Sequence, residues 1–140
     1  DVCSSDLEPI NGYAYHETNE NITWAESTLR DYLNSDFIDE TFCQQMKEKI
    51  LETEIVVPDN KQYRTKGGKN TVDKVFLLND NQAQEYKEIL DNYSRDWWLI
   101  NPGNSQNTAQ YVSYGEIMDY GYEVSNTNIY IRPAMWVSIK

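Results

Sequence analysis

The side chains that could carry out catalysis are few and widely separated along this chain. Its only histidine is His16, in a polar N-terminal segment, and its two cysteines are Cys3 and Cys43. A nucleophile needs a general base within hydrogen-bond reach, and no motif joins His16 to Cys43 or to a serine. Zinc sites of Cys and His need several such ligands at short spacing. We therefore expect no catalytic residue, no metal site and no cofactor.

The two cysteines leave two interpretations open. A Cys3–Cys43 disulfide would suit an exported protein, because disulfides persist in oxidising compartments. Alternatively, Cys43 is a free thiol buried on a helix face. The chain begins at Asp1 without Met, and we expect a processed form whose leader or upstream region has been removed.

The charge of the chain excludes two kinds of partner. Its 23 acidic and 12 basic residues give a formal net charge of -11 at pH 7. Nucleic-acid binding needs clustered Lys and Arg, and anionic membranes attract the same residues. No apolar run is long enough to span a bilayer. We interpret the dispersed carboxylates as solvated surface, and no EF-hand spacing supports calcium binding.

Recognition chemistry is concentrated in the polar stretch of residues 101–130. Tyrosine rings supply contact area at small entropic cost, and amide side chains supply both donors and acceptors. Such a surface suits a glycan or a protein partner. The alternative interpretation is ordinary loop composition with half-buried strand tyrosines. The candidate ligand-binding residues are Asn101, Asn104, Gln106, Asn107, Tyr111, Tyr114, Tyr120, Tyr122, Asn126, Asn128 and Tyr130.

Two aromatic blocks, residues 97–103 and 130–136, must hold this stretch in place. Neighbouring residues of a strand point to opposite faces, so at least one of Trp97 and Trp98 should pack in the core. Arg132 stands among apolar residues, where an unpaired charge is costly. We expect it to form an ion pair or to bond backbone carbonyls.

Helical periodicity predicts three helices before these blocks. Thr23 and Glu26 have the spacing of a capping box, so the first helix should begin at Thr23 and end near Asn34. Apolar residues at helical spacing predict a second helix over 39–51 and a third over 81–92. The expected core face of the second helix consists of Phe42, Cys43, Met46 and Ile50.

Short β-prone runs predict strands, most of them in the C-terminal third. The polar stretch 60–70, with Gly67-Gly68, is typical of a mobile surface loop. Helices first and strands later predict an α+β fold. We expect one domain over residues 1–140, with an irregular segment at 1–22, as part of a larger protein. The predicted strands are 55–57, 72–78, 97–100, 109–114, 120–124, 129–132 and 136–139.

Four blocks resemble a bacterial family that is itself a domain of unknown function. Residues 24–34 read W-x-x-S-x-L-R-x-Y-L-N and resemble its S-x-L-R-x-W-L-N helix, and residues 71–78 resemble its D-K-V-F-L-L-S strand. W-W-L-I-N-P-G at 97–103 is similar to its W-W-L-R-S-P-G, and I-R-P-A-M-W at 131–136 to its V-R-P-A-L-W. The family is common in surface, secreted and phage-linked proteins of gut bacteria and other Gram-positives.

The resemblance implies a C-type-lectin-like fold, related in outline to formylglycine-generating enzymes and to the variable proteins of diversity-generating retroelements. In such folds the C-terminal strands form a small twisted sheet whose loops bind ligands. The resemblance brings no catalytic residues, and residues 97–140 lack the cysteines of formylglycine chemistry. Ile100 and Tyr130 depart from the Arg and Gly of the family pattern.

We therefore expect a non-catalytic recognition module of an exported or surface bacterial protein, which binds a glycan or protein through residues 101–130. One alternative is a structural or spacer module without its own ligand, and another is an enzyme of unknown chemistry. An exposed cluster of the tyrosines would favour the first hypothesis. Burial of all of them would argue against this choice of site.

Overall fold

The structure, a computed structural model, describes residues 12–90 and 94–139 and has an α+β fold. Short helices lie between residues 28 and 90, and most strands follow them, as the sequence predicts. A 3₁₀ turn at Trp24–Glu26 precedes the first α-helix. The helices are α1 (Thr28–Leu33), α2 (Asp36–Thr41), α3 (Gln44–Lys47), α4 (Asp80–Glu85) and α5 (Lys87–Leu90), and the strands are β1 (Thr53–Ile55), β2 (Thr71–Asp73), β3 (Trp97–Pro102), β4 (Thr108–Ser113) and β5 (Glu116–Glu123).

The strands form two antiparallel sheets, one of β1 and β2 and one with the order β3-β4-β5. In the larger sheet β4 is central, and its pairing with both neighbours is interrupted at the same place. Ala109 and Tyr111 pair normally, but between them three residues of β3 (99–101) and three of β5 (119–121) lie opposite Gln110 alone. Such bulges make a strand bend and disturb the local ladder. Both neighbours therefore bow away from the centre of β4.

The β3-β4-β5 sheet separates two apolar clusters. Trp98 is fully buried with Trp24 in the larger core, whereas Trp97 and Leu99 pack on the other face against Ala83 of α4. Strand alternation explains why neighbouring tryptophans enter different clusters. The prediction that at least one of them packs in the core is confirmed, and the other is covered by a helix.

The predicted start of the first helix was wrong. The Ser27 hydroxyl accepts a hydrogen bond from the Arg30 N–H at 3.2 Å and caps α1. Thr23 forms no cap bond, and its hydroxyl instead donates to Glu26 Oε2 at 2.8 Å. A second favourable cap residue lies four positions downstream, and the intervening 3₁₀ turn places Trp24 in the core. Tertiary packing thus outweighs the local capping signal.

The predicted helix over 39–51 was also wrong, because the chain is extended at Phe42 and Cys43 between α2 and α3. Residues five apart diverge on a continuous helix, but this break lets the Phe42 ring meet Phe37 edge-on at 5.9 Å. Cys43 is exposed and disulfide-bonded, so the buried free thiol is excluded. The only other cysteine, Cys3, lies outside the described residues.

Other predicted elements are shorter in the structure. The third helix is divided at Tyr86 into α4 and α5, and residues 91 and 92 of its predicted range lie outside the described residues. The stretches 129–132 and 136–139 form only isolated bridges, which pair Tyr130 with Trp97 and Val137 with Ile50. Pro133 has no N–H for a continuous ladder. No helix in the described parts of the chain is long and apolar enough to cross a membrane.

Candidate functional site

Three of the predicted tyrosines form a cluster on β4 and β5, here called the tyrosine surface. Tyr111 is buried, while Tyr120 and Tyr122 are 44% and 39% exposed. The Tyr122 ring stacks on Tyr111 with centroids 4.3 Å apart, and the Tyr120 ring meets Tyr111 edge-on at 6.1 Å. The Tyr111 and Tyr120 hydroxyls are 3.2 Å apart. Both exposed rings are therefore fixed by the same buried ring.

A glycine between the two exposed rings permits this arrangement. Gly121 has a φ of +78°, and a Cβ there would lie 2.5 Å from the Ala109 carbonyl oxygen. Only glycine adopts this left-handed conformation at no steric cost. It allows β5 to bulge while Tyr120 and Tyr122 both face Tyr111. Burial, followed by the hydrogen bond with Tyr120, raises the pKa of Tyr111, so the Tyr111 hydroxyl stays protonated at neutral pH.

The loop that joins β3 and β4 lies beside this cluster and carries three more candidates. The Asn104 N–H donates to the Tyr120 carbonyl at 2.9 Å, and the Asn104 side chain is exposed. Asn107 donates from Nδ2 to Asn19 Oδ1 at 3.0 Å. Gln106 donates from Nε2 to the Lys66 carbonyl at 2.9 Å. The loop is thus tied to two neighbouring segments.

Four of the remaining candidates lie away from the tyrosine surface, and a fifth is internal. Asn101 is fully buried, and its Oδ1 accepts the Asp80 N–H at 2.9 Å. Tyr114, 80% exposed, stands at the β4–β5 turn with a φ of 49°. Asn128 belongs to a separate turn, in which its N–H donates to Asn126 Oδ1 at 2.8 Å. Tyr130 is half-buried against the Trp97 cluster. The predicted set is therefore divided, and only part of it forms one surface.

On the opposite face of the sheet the structure forms a cleft of about 330 Å³ that the sequence did not predict. We call it the polar cleft. It lies between the start of α4, the turn after Asn60, and the bulged part of β4 and β5. The only local signal was a glutamine inside a predicted buried strand. The residues that line it are Asn60, Lys61, Gln62, Asp80, Asn81, Gln84, Gln110, Ile117 and Asp119.

Asn60 joins the polar cleft to the sheet. Its side chain is buried, and Nδ2 lies 2.7–3.1 Å from the carbonyl oxygens of Pro102, Gly103 and Asp119. Its Oδ1 accepts two backbone N–H groups of the following turn, each at 2.9 Å. The stretch 60–70, predicted as a mobile surface loop, is thus anchored at its first residue, whose side chain contacts three carbonyls and two backbone N–H groups.

His16, which was considered for catalysis, and Arg132, which was expected to need a partner, both have structural contacts. His16 is buried; its Nδ1 lies 3.2 Å from the Thr28 N–H, and its Nε2 lies 2.9 Å from Glu20 Oε1. The Arg132 guanidinium donates to the Leu90 carbonyl at 2.9 Å and lies 5.1 Å from the centre of the Trp97 ring. Within residues 12–90 and 94–139, no group of three or more His, Cys, Asp or Glu could hold a metal.

Comparison with curated proteins and with solved structures found no match. One family model, described as "Domain of unknown function (DUF6273)", matches residues 3–139, which is nearly the whole chain. The chain therefore belongs to the DUF6273 family of domains of unknown function.

Proposed function

We propose that this domain is a non-catalytic recognition module that binds a glycan through the tyrosine surface. The observation that carries the proposal is the pair of exposed rings, Tyr120 and Tyr122, each held in place by buried Tyr111. Rings that are already fixed lose little entropy when a ligand stacks on them. Asn104 adds an exposed amide at the edge of the surface.

Charge makes a neutral or cationic ligand the better fit. The chain carries a net charge of -11, so an anionic ligand is repelled before it reaches the surface. Stacking of a sugar ring on tyrosine needs no charge, because the contact is between an apolar sugar face and an aromatic face. A protein partner is the alternative ligand, and the experiment below separates the two.

The proposal includes an exported or cell-surface location in a bacterium and a C-type-lectin-like fold. The disulfide at Cys43 supports export, because disulfides persist outside the reducing cytosol. The three-stranded sheet in the C-terminal part, with a ligand surface next to its connecting loop, supports the fold. The segment before α1 also contacts the C-terminal part of the chain, because the Tyr13 N–H donates to the Ile129 carbonyl at 3.0 Å.

The test compares wild-type domain with a Tyr120→Ala/Tyr122→Ala variant on a glycan array, followed by titration calorimetry with the best ligand. Loss of two stacking rings should cost about 2 kcal/mol or more, roughly thirtyfold in affinity. Tyr114→Ala is the matched control, because Tyr114 is more exposed than either ring yet lies at the turn. It should bind as wild type does.

Two outcomes would contradict the proposal. If Tyr114→Ala loses affinity and the double variant does not, the tyrosine surface is the wrong site. If wild-type domain binds no glycan, the glycan proposal fails. Binding of a defined protein instead, with loss in the double variant, would assign the surface to a protein partner. If the domain binds neither a glycan nor a protein, the spacer hypothesis remains.

A further inference from the structure

We propose that the polar cleft is a second binding site and that it takes a primary ammonium group. This inference does not depend on the tyrosine surface, which lies on the other face of the sheet. It begins from Gln110, which is 1% exposed and lines the cleft. Its Oε1 is the only fully buried side-chain polar atom in residues 12–90 and 94–139 that has no hydrogen-bond partner.

A buried acceptor without a partner is costly, so few native proteins keep one without a use for it. A leucine or methionine of similar volume would fill the same place on β4 without that cost. Gln110 lies where the pairing with both neighbouring strands is interrupted, opposite residues 99–101 and 119–121. No described residue donates to its Oε1.

The other groups in the cleft add to an excess of acceptors. Asp80 is buried, and its Oδ1 accepts the Asn81 N–H at 2.8 Å. Among the residues that the structure describes, its Oδ2 has only a distant cation, Lys61 Nζ, at 3.9 Å. The Asp119 carboxylate has no side-chain partner within the described parts of the chain. Gln110, Asp80 and Asp119 thus present oxygens that need donors.

An ammonium group matches this set better than a hydroxyl does. It carries three donors and no acceptor, so it can satisfy several oxygens without introducing a lone pair that needs a donor. Its charge strengthens each bond to a carboxylate, and the net charge of -11 attracts it. A sugar hydroxyl could donate to Gln110 or to a carboxylate, but it has a single donor and no positive charge, so its attraction to this set of oxygens is weaker.

Lys61 is the competitor that is already present. Its side chain is 67% exposed, and its ammonium contacts Asn81 Oδ1 at the edge of the cleft near Asp80. An incoming amine must displace it or accept its repulsion. Removing this charge should therefore strengthen the binding of an amine and weaken the binding of a ligand that needs a donor from the protein.

In the test, wild-type domain is titrated with three sugars of similar shape. Binding is measured by amide chemical shifts in a proton–nitrogen NMR spectrum. Glucosamine carries the ammonium, glucose has a hydroxyl in its place, and N-acetylglucosamine has a neutral amide. We expect saturable shifts at the Gln110 and Asn81 side-chain amides with glucosamine only. Nα-acetyl-lysine amide forms a second arm, which distinguishes an amino sugar from a lysine side chain as the source of the ammonium.

Two variants test the assigned roles. Gln110→Met should weaken glucosamine binding at least tenfold, because it removes the oxygen that accepts from the ammonium. The domain should stay folded, because an apolar side chain also removes the cost of an unpaired buried oxygen. Lys61→Met should strengthen it severalfold. The tyrosine double variant serves as the control and should bind amines as wild type does, so failure of the glycan proposal would leave this result unchanged.

Three results would overturn the inference. The first is absence of saturable shifts with both amines. The second is equal binding of glucose and glucosamine, which would make the cleft a hydroxyl site. The third is weaker amine binding by Lys61→Met, which would show that Lys61 donates to the ligand instead of competing with it.

Discussion

Replacing Asp73 with asparagine should destabilise the domain more than any surface substitution. Asp73 is buried on β2, and its carboxylate joins three elements. Oδ1 accepts from Arg30 Nε at 2.7 Å, while Oδ2 accepts from Trp24 Nε1 at 2.9 Å and from the Thr71 hydroxyl at 2.7 Å. Asn has the same shape, but one of its two terminal atoms is a donor. Either orientation of the amide sets N–H against N–H, at Arg30 or at Trp24.

The magnitude follows from the burial of the two charges. Removing one partner of a buried ion pair costs about 3–5 kcal/mol. The Asp73 side chain is 1% exposed but the Arg30 side chain is 31% exposed, so water can partly solvate the guanidinium that is left. Arg30 also keeps its bond to the Ala25 carbonyl at 3.0 Å. We therefore expect the low end, about 3 kcal/mol, or a melting temperature lower by about 10 °C for a domain of this size.

Urea unfolding followed by tryptophan fluorescence measures this directly, because Trp24, Trp97 and Trp98 are buried. The midpoint should fall with an unchanged m-value, which separates lost stability from a changed denatured state. Asp39→Asn is the matched control. Its side chain is 73% exposed and pairs with Lys47 at 3.0 Å, and such pairs contribute about 0–1 kcal/mol. A loss below about 1 kcal/mol for Asp73→Asn would falsify the assigned role of the buried carboxylate.

Three further predictions concern the candidate sites. Burial raises the pKa of Tyr111, so the Tyr111 hydroxyl loses its proton at a lower pH in the unfolded state than in the folded state. The contribution of Tyr111 to the free energy of unfolding should therefore be fully present below about pH 10 and fall as pH rises above it. Urea midpoints measured against pH should fall less in Tyr111→Phe than in the wild type. Asn60→Ala removes the buried donor of the Pro102 and Asp119 carbonyls, whereas the Gly103 carbonyl keeps the Thr65 hydroxyl. The substitution should cost about 3 kcal/mol, measured by urea unfolding, and an unchanged midpoint would refute the anchoring role of Asn60. Gly121→Ala sets a Cβ 2.5 Å from the Ala109 oxygen at a φ of +78° and should cost about 1–3 kcal/mol in the same assay; a neutral effect would show that β5 relaxes without strain.

The parts of the fold that depend on local pattern were predictable. The aromatic block at Trp97 and Trp98 needed only strand alternation to place one ring on each face, and both rings are buried. The prediction of a helix over 39–51 was wrong. The apolar spacing is compatible with a helix, but the core brings the rings of Phe37 and Phe42 into contact, which a continuous helix would keep apart. That contact appears only when distant segments pack, so no window of sequence contains it.

The candidate sites also include features that the local sequence predicts and features that depend on distant segments. Tyr120 and Tyr122 could be proposed from composition, because a polar, tyrosine-rich stretch is a local property of the sequence. Tyr114 has the same composition but lies at the far end of the hairpin, which depends on where the turn falls. The unpaired oxygen of Gln110 depends on the register of two other strands, and this information is distributed over residues far apart in the sequence.

The central strand β4 supports both proposed sites, and the double bulge connects them. Tyr111 belongs to the tyrosine surface. Gln110, the preceding residue, lines the polar cleft on the opposite face. The bulge at Gly121 positions the exposed rings on one face and opens the wall beside Gln110 on the other. A side-chain substitution within one site should therefore affect that site alone. Gly121→Ala changes the shared backbone, so it should weaken amine binding and glycan binding together.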